Sequence, residues 1–178
     1  MKKTGILSVV CMAAMLLMAA CGGKDTEDLI VGTWELASVT YQSTGHPDQS
    51  LNSFNTTLFE EGSESMTLTF GKDGNGYRVD PWYVDDSIYV YYGETIVGGY
   101  DTSYYVYDTT PFSYFASGNS LNMQERGTMK AYRIDQLDKE ILSYTDTNAY
   151  NDVYINDYGR SMQFTQEIKT VTTLRRRR

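Results

Sequence analysis

Apolar and polar residues alternate with a period of two over most of the chain. Met66, Leu68 and Phe70 alternate with Thr67 and Thr69, an apolar-in, polar-out strand. Lys72-Asp73-Gly74-Asn75-Gly76 follows as a hairpin turn, because Gly and Asn tolerate positive φ. Tyr77 and Val79 start the return strand, and Pro81 ends it or marks an edge. Leu29 to Tyr41 holds another strand, with Trp34 and Leu36 on one face. The pattern predicts further strands at 87–92, 100–107, 112–116, 121–124, 129–134, 141–145 and 161–168. Turn signals separate them at Gly98-Gly99, Asp108 to Pro111, Ser117-Gly118-Asn119 and Asp138-Lys139. Asp146 to Gly159 reads as a long polar connection. One helix is expected near 50–61, where Leu51, Phe54 and Leu58 fall at i, i+3 and i+7 between Ser50 and Gly62 as caps. Many short strands joined by short turns predict an all-β antiparallel barrel or sandwich. No repeat or linker divides residues 29–174.

The N-terminus has a different pattern. Lys2 and Lys3 precede an uncharged, mostly apolar run from Ile6 to Ala20. It is too short for a membrane span, which needs about 20 residues, and it suits a signal peptide. Ala19-Ala20-Cys21 at its end resembles the lipobox of bacterial lipoproteins, whereas Cys11 follows a bulky Val inside the run. The resemblance implies cleavage before Cys21 and lipidation of that residue, so that residues 1–20 are removed and 21–28 form a flexible tether. The alternative is an ordinary secretory signal with an incidental Cys. Gly22 after the Cys, in place of an Asp, favours the outer membrane. Lys24-Asp25-Thr26-Glu27-Asp28 resembles the acidic surface-export signals of some lipoproteins, and is otherwise a solvated tether.

Composition narrows the chemistry. The 178 residues include 15 basic and 23 acidic side chains, two Cys, one His and sixteen Tyr. Lipidation of Cys21 and loss of Cys11 leave no disulfide, and one His excludes multi-His metal sites. So acidic a body argues against nucleic acid, and Arg175 to Arg178 read as a short basic tail after the domain. His46 falls in a loop-like stretch. Asp85-Asp86 would point to opposite faces of an extended segment. Asp146 to Asp157 has a faint calcium-loop spacing without the turn Gly or the bidentate Glu. No nucleophile elbow, phosphate loop or Cys-His pair is present. The expectation is binding without catalysis, with no cofactor and no metal.

Val31-Gly32-Thr33-Trp34-Glu35-Leu36 places Gly-x-Trp on the first strand, which resembles lipocalins and lipocalin-like domains. Met66 to Phe70 with Asp73-Gly74-x-Gly76 resembles a hairpin of bacterial lipocalin-like lipoproteins. So do Phe112-x-Tyr114 with Gly118-Asn119-x-Leu121, Tyr132-x-Ile134-x-x-Leu137 with Leu142, and Phe164 in a closing strand. The resemblance implies an up-and-down barrel of about eight strands that can hold one small ligand. Gly32 and Trp34 would be structural. Arg160 is a candidate for the Arg that packs over this Trp in classical lipocalins.

Ten of the sixteen Tyr lie between Tyr77 and Tyr114. Tyr104 and Val106 share one strand face, and Tyr105 and Tyr107 the other. A barrel wall needs only one apolar face. Two binding modes follow. A small hydrophobic or amphipathic ligand would sit in a cavity lined by Leu68, Phe70 and Tyr104. Alternatively, Tyr105 and Tyr107 would serve a Tyr-rich surface that recognises a glycan or an envelope protein. The same Tyr residues also suit a half-wet sheet with no partner.

Overall fold

The computed structural model describes residues 24–178, so Cys21 and the expected signal peptide lie outside the described residues. Helix α1 (Lys24–Ile30) leads into β1 (Gly32–Thr44), β2 (Ser53–Leu58), β3 (Thr67–Phe70) and β4 (Asn75–Tyr92). Then come β5 (Thr95–Ser117), β6 (Ser120–Glu125), β7 (Thr128–Leu137), β8 (Ile141–Ile155) and β9 (Ser161–Arg176). All nine strands form one antiparallel sheet, and pairing of β1 with β9 closes it in a ring. β1 makes the closure possible through a bulge between Leu36 and Ser38. Below the bulge its other edge pairs with β3, and above it with β2. Eight strands therefore complete the ring, and β2 extends one side of it. This is an all-β, barrel-like architecture, within the barrel-or-sandwich class that the alternation predicts, with the up-and-down order that the resemblance implies.

One end of the ring is closed. Trp34, Leu68, Phe70, Leu121, Leu142 and Leu174 are almost fully buried and form the core with Ile30 from α1. Thr26 Oγ1 donates to the Gly118 carbonyl at 3.2 Å, tying α1 to the β5–β6 turn at this end. Residues 24–28 thus begin a helix rather than a tether.

At the opposite end two extensions rise. Beyond Val79 and Phe112, β4 and β5 lose their neighbours β3 and β6 and pair only with each other. The result is a two-stranded arm running to Tyr92 and Thr95. On the other side β8, β9, β1 and β2 continue together as a four-stranded wall.

Several sequence expectations are corrected. The helix near 50–61 is absent: Gln49–Leu51 form one 3-10 turn, and Ser53–Leu58 pair with β1. Phe54, Thr56 and Thr57 are good strand formers, and Thr56 meets Thr40 hydroxyl to hydroxyl at 3.0 Å. The strand passes through Pro81 opposite Tyr107, where β4 has a free edge and the missing N–H costs no ladder bond. Pro111 likewise pairs with Tyr77 just before β5 meets β6. Gly98-Gly99 lie inside β5, and the turn falls at Gly93-Glu94. The polar run 146–155 is the upper half of β8 and forms no calcium loop. Among the described residues no group of three or more His, Cys, Asp or Glu could hold a metal, and no helix is long and apolar enough to cross a membrane.

Candidate functional site

The Gly-x-Trp segment sits at the closed end. Trp34 donates from Nε1 to the Ile30 carbonyl at 2.7 Å, and Arg176 stacks its guanidinium 4.2 Å from the Trp34 ring centroid. Arg176 also donates to the carbonyls of Val31 and Lys139, each at 2.8 Å, and to that of Leu29. Gly32 explains itself here: its φ is +137°, and a Cβ would stand 2.4 Å from the Arg176 guanidinium. The Arg over the first-strand Trp is therefore Arg176. Arg160 lies in the β8–β9 turn, donating its backbone N–H to Asn156. Arg175 and Arg176 are strand residues and no tail. Arg175 pairs with Glu35 at 2.7 Å and donates to the Phe59 carbonyl at 2.6 Å. Glu35 is 6% exposed, the one buried carboxylate among the described residues, because the 59–66 loop covers the outer face of β1.

Above the core, a cavity of about 340 Å³ opens in the mouth of the ring, between the arm and the wall. Its floor is apolar, from Met66, Leu68 and Met123. Tyr132 and Tyr144 form one side, edge to face with centroids 5.0 Å apart. Burial raises both phenols above their ordinary value, and the carboxylate of Asp146 adds to it, so both stay protonated donors.

The polar side holds Arg78, Glu125, Arg126 and Lys130. Arg78 pairs opposite Leu68 in the β3–β4 register, so it points into the ring. It meets Asp80 at 2.6 Å and Glu125 at 2.7 Å. Burial alone would lower the guanidinium, but the two carboxylates outweigh it and raise it. Arg126 donates to Thr110 Oγ1 at 3.2 Å. Lys130 stands opposite Met123 in the β6–β7 register, just above the floor.

The expected ligand residues divide among three places. Leu68 lines the cavity floor, while Phe70 lies deeper in the core against Phe112 and Tyr114. Tyr104 shares the face of Arg78 but sits on the arm above the ring, 48% exposed, so it lines no barrel wall. Tyr105 and Tyr107 occupy the other face of the arm. Tyr105 packs edge-on to Tyr83 at 5.3 Å, and Tyr107 donates to Glu64 at 2.8 Å. His46 stays in its loop, where its backbone N–H donates to Asn52 Oδ1 at 3.0 Å, and its ring packs edge-on to Phe164 at 4.8 Å and Tyr154 at 5.3 Å.

Sequence reading missed the basic and phenolic lining of the cavity. One signal was available: Arg78 falls on the core-facing register of a strand, where a charge requires a partner, and Glu125 falls on the matching face of β6. No protein-family model, curated protein or solved structure matches the chain.

Proposed function

We propose that this chain is a lipocalin-like lipoprotein of the cell envelope, anchored at the outer membrane through lipid on Cys21. Its ring binds a small amphipathic ligand without catalysis. The mouth cavity carries the reading, because it joins an apolar floor to convergent polar groups in one concave space. The Gly32–Trp34–Arg176 stack supports the lipocalin likeness. The geometry also suits the anchor. The chain enters at the closed end through α1, so the mouth and both extensions face away from the membrane.

Two experiments test it. Cys21→Ala should move the protein out of the membrane fraction, and unchanged fractionation would count against the anchor. Met123→Trp fills the floor of the cavity. Solvent extraction and mass spectrometry of the purified protein should release a small molecule that the Trp variant lacks; an identical extract from both would remove the cavity reading.

A second reading has its own observation. Asp80, Asp85, Asp86, Glu94, Asp101 and Asp108 lie on the arm, and no Lys or Arg occurs between Val79 and Glu125. Its aromatic faces are exposed and both its strand edges are unpaired, which suits recognition of a glycan or an envelope protein. Replacing Tyr105 and Tyr107 by Ser should then weaken pull-down or glycan-array signals, and unchanged profiles would end this reading.

A further inference from the structure

The charged side chains that line the mouth cavity are mostly cationic, although the chain that builds it is acidic. The sequence has 15 basic against 23 acidic residues, yet the ionised residues lining the cavity are Arg78, Arg126 and Lys130 against Glu125 alone. The three cations differ in how far they are neutralised. Arg78 is held between two carboxylates, with its Nε and both terminal nitrogens engaged. Arg126 reaches Asp108 only at 3.7 Å, with both side chains more than half exposed, so little of its field is cancelled. Lys130 has no carboxylate within the 4.0 Å limit of an ion pair among the described residues. Lys130 is thus the lining cation left without a carboxylate, and a concave site with low-dielectric walls concentrates its field where a ligand would enter.

The rungs below the rim change character quickly. Glu125 faces Thr128 next to the β6–β7 turn, Met123 faces Lys130 one rung deeper on that face, and Leu121 faces Tyr132 below that. A charge at the rim and an apolar body on the floor are therefore only a few ångströms apart. The Tyr132 phenol, kept protonated, can donate to an anion, and the protonated Tyr144 phenol, engaged with Thr172, cannot repel it. At about 340 Å³ the space lies near the lower bound of ligand pockets, which favours a compact body over a long acyl chain.

We propose that the mouth cavity binds a small organic anion with a compact apolar body. Its acid group is held at the rim by Lys130 and Arg126, and its body rests on Leu68, Met123 and the Tyr132–Tyr144 pair. The assignment rests on the cavity reading above and adds the charge and the size of the ligand.

The test compares 4-phenylbutyrate with 4-phenylbutanol, which have the same carbon skeleton and differ at the head group. Both are titrated calorimetrically into the Cys21→Ala protein at low ionic strength. The acid should bind at least about tenfold more tightly than the alcohol. Lys130→Met should bring the acid most of the way down toward the affinity of the alcohol, with Arg126 holding what remains. Lys130 is exposed, so this variant should keep the parent melting temperature. Equal binding of acid and alcohol, or full retention of acid binding in Lys130→Met, would overturn the anion assignment and leave the cavity reading standing. Binding of the acid to Met123→Trp at parent affinity would place the anion elsewhere and overturn the assignment too. Failure of both probes to bind would count against both readings.

Discussion

The two tryptophans of the chain occupy two kinds of sheet. Trp34 is fully buried in the closed end of the ring, hydrogen-bonded and stacked under Arg176, whereas Trp82 is 62% exposed on the β4–β5 arm. Both lie in long antiparallel strands, so strand formation does not distinguish them. The ring strands bury one face against a shared core, whereas the arm strands pair only with each other and meet the rest of the chain through the Tyr107–Glu64 bond at its base. A lone two-stranded hairpin is marginal in water. The arm therefore depends on cross-strand pairs such as Tyr83–Tyr105, Trp82 opposite Val106, and the 2.8 Å bond from Ser87 to Asp101. Aromatic content alone does not make a core; closure of the sheet does.

The sharpest way to break this comparison is to remove each ring in turn. Trp34→Ala deletes a fully buried side chain and should cost about 3–5 kcal/mol of unfolding free energy. Trp82→Ala should stay within about 0.5 kcal/mol, as surface changes do. Urea unfolding of both variants gives the two numbers. Equal losses would mean that the arm is part of the core.

Charge offers a second contrast. Asp85 and Asp86 on the arm are exposed, whereas Glu35 at the base is covered and depends on Arg175. Arg175→Met would leave Glu35 buried without its cation and should cost roughly 3 kcal/mol, the lower end for a broken buried pair. Asp85→Asn should be nearly silent. If adding Glu35→Gln to Arg175→Met restored none of the loss, the cost would come from packing and not from the orphaned carboxylate.

Much of the ring was legible in the sequence because its residues obey one period. Met66-Leu68-Phe70 alternate and then meet a turn in which Asp73 accepts from the Asn75 N–H, so the β3–β4 hairpin follows directly. Gly32 and Trp34 fall at the base, where Trp34 is buried and Gly32 leaves room for Arg176. The failures have a common cause. Residues 50–61 carry apolar spacing that fits a helix, but the exposed edge of β1 needed a partner and took this segment as β2. Pro81, Gly98-Gly99 and the polar run 146–155 all read as breaks. Each sits where a strand has a free edge or two wet faces, and there a breaker costs little. Arg176 looked like tail because its partner, Trp34, is 142 positions away; no local pattern contains that contact. The cavity was hidden for the same reason, since Arg78, Glu125, Lys130 and Tyr144 come from four strands.

A smaller effect separates the phenols. Tyr144 is buried and its ionisation is pushed up, first by burial and then by Tyr132. Its folded-state value lies above the unfolded value near 10, so its contribution is complete below about pH 10. Above that pH the unfolded chain loses a proton that the folded chain keeps, and stability should fall by about 1.4 kcal/mol per pH unit for this one group. Tyr144→Phe should flatten the wild-type slope by that amount in unfolding titrations between pH 10 and the folded value. An unchanged slope would show that Tyr144 ionises freely in the folded protein.

The smallest expected effect comes from the largest change. No residue from 71 to 111 belongs to the hydrophobic core, and the arm beyond Asp80 and Asp108 touches no other strand through its ladder. Excising residues 83–105 and joining Trp82 to Val106 through Asn-Gly supplies the favoured two-residue hairpin turn. The shortened protein should keep its melting temperature within a few degrees, and its urea m-value should fall only slightly, because the excised surface was mostly exposed when folded. It should also bind 4-phenylbutyrate as the parent does, since Arg126, Lys130 and the cavity floor are untouched. Loss of the fold would erase the division between ring and arm. Loss of ligand with the fold intact would instead make the arm the upper wall of the binding site, with Val84 and Tyr104 on its ring-facing side as the missing contacts.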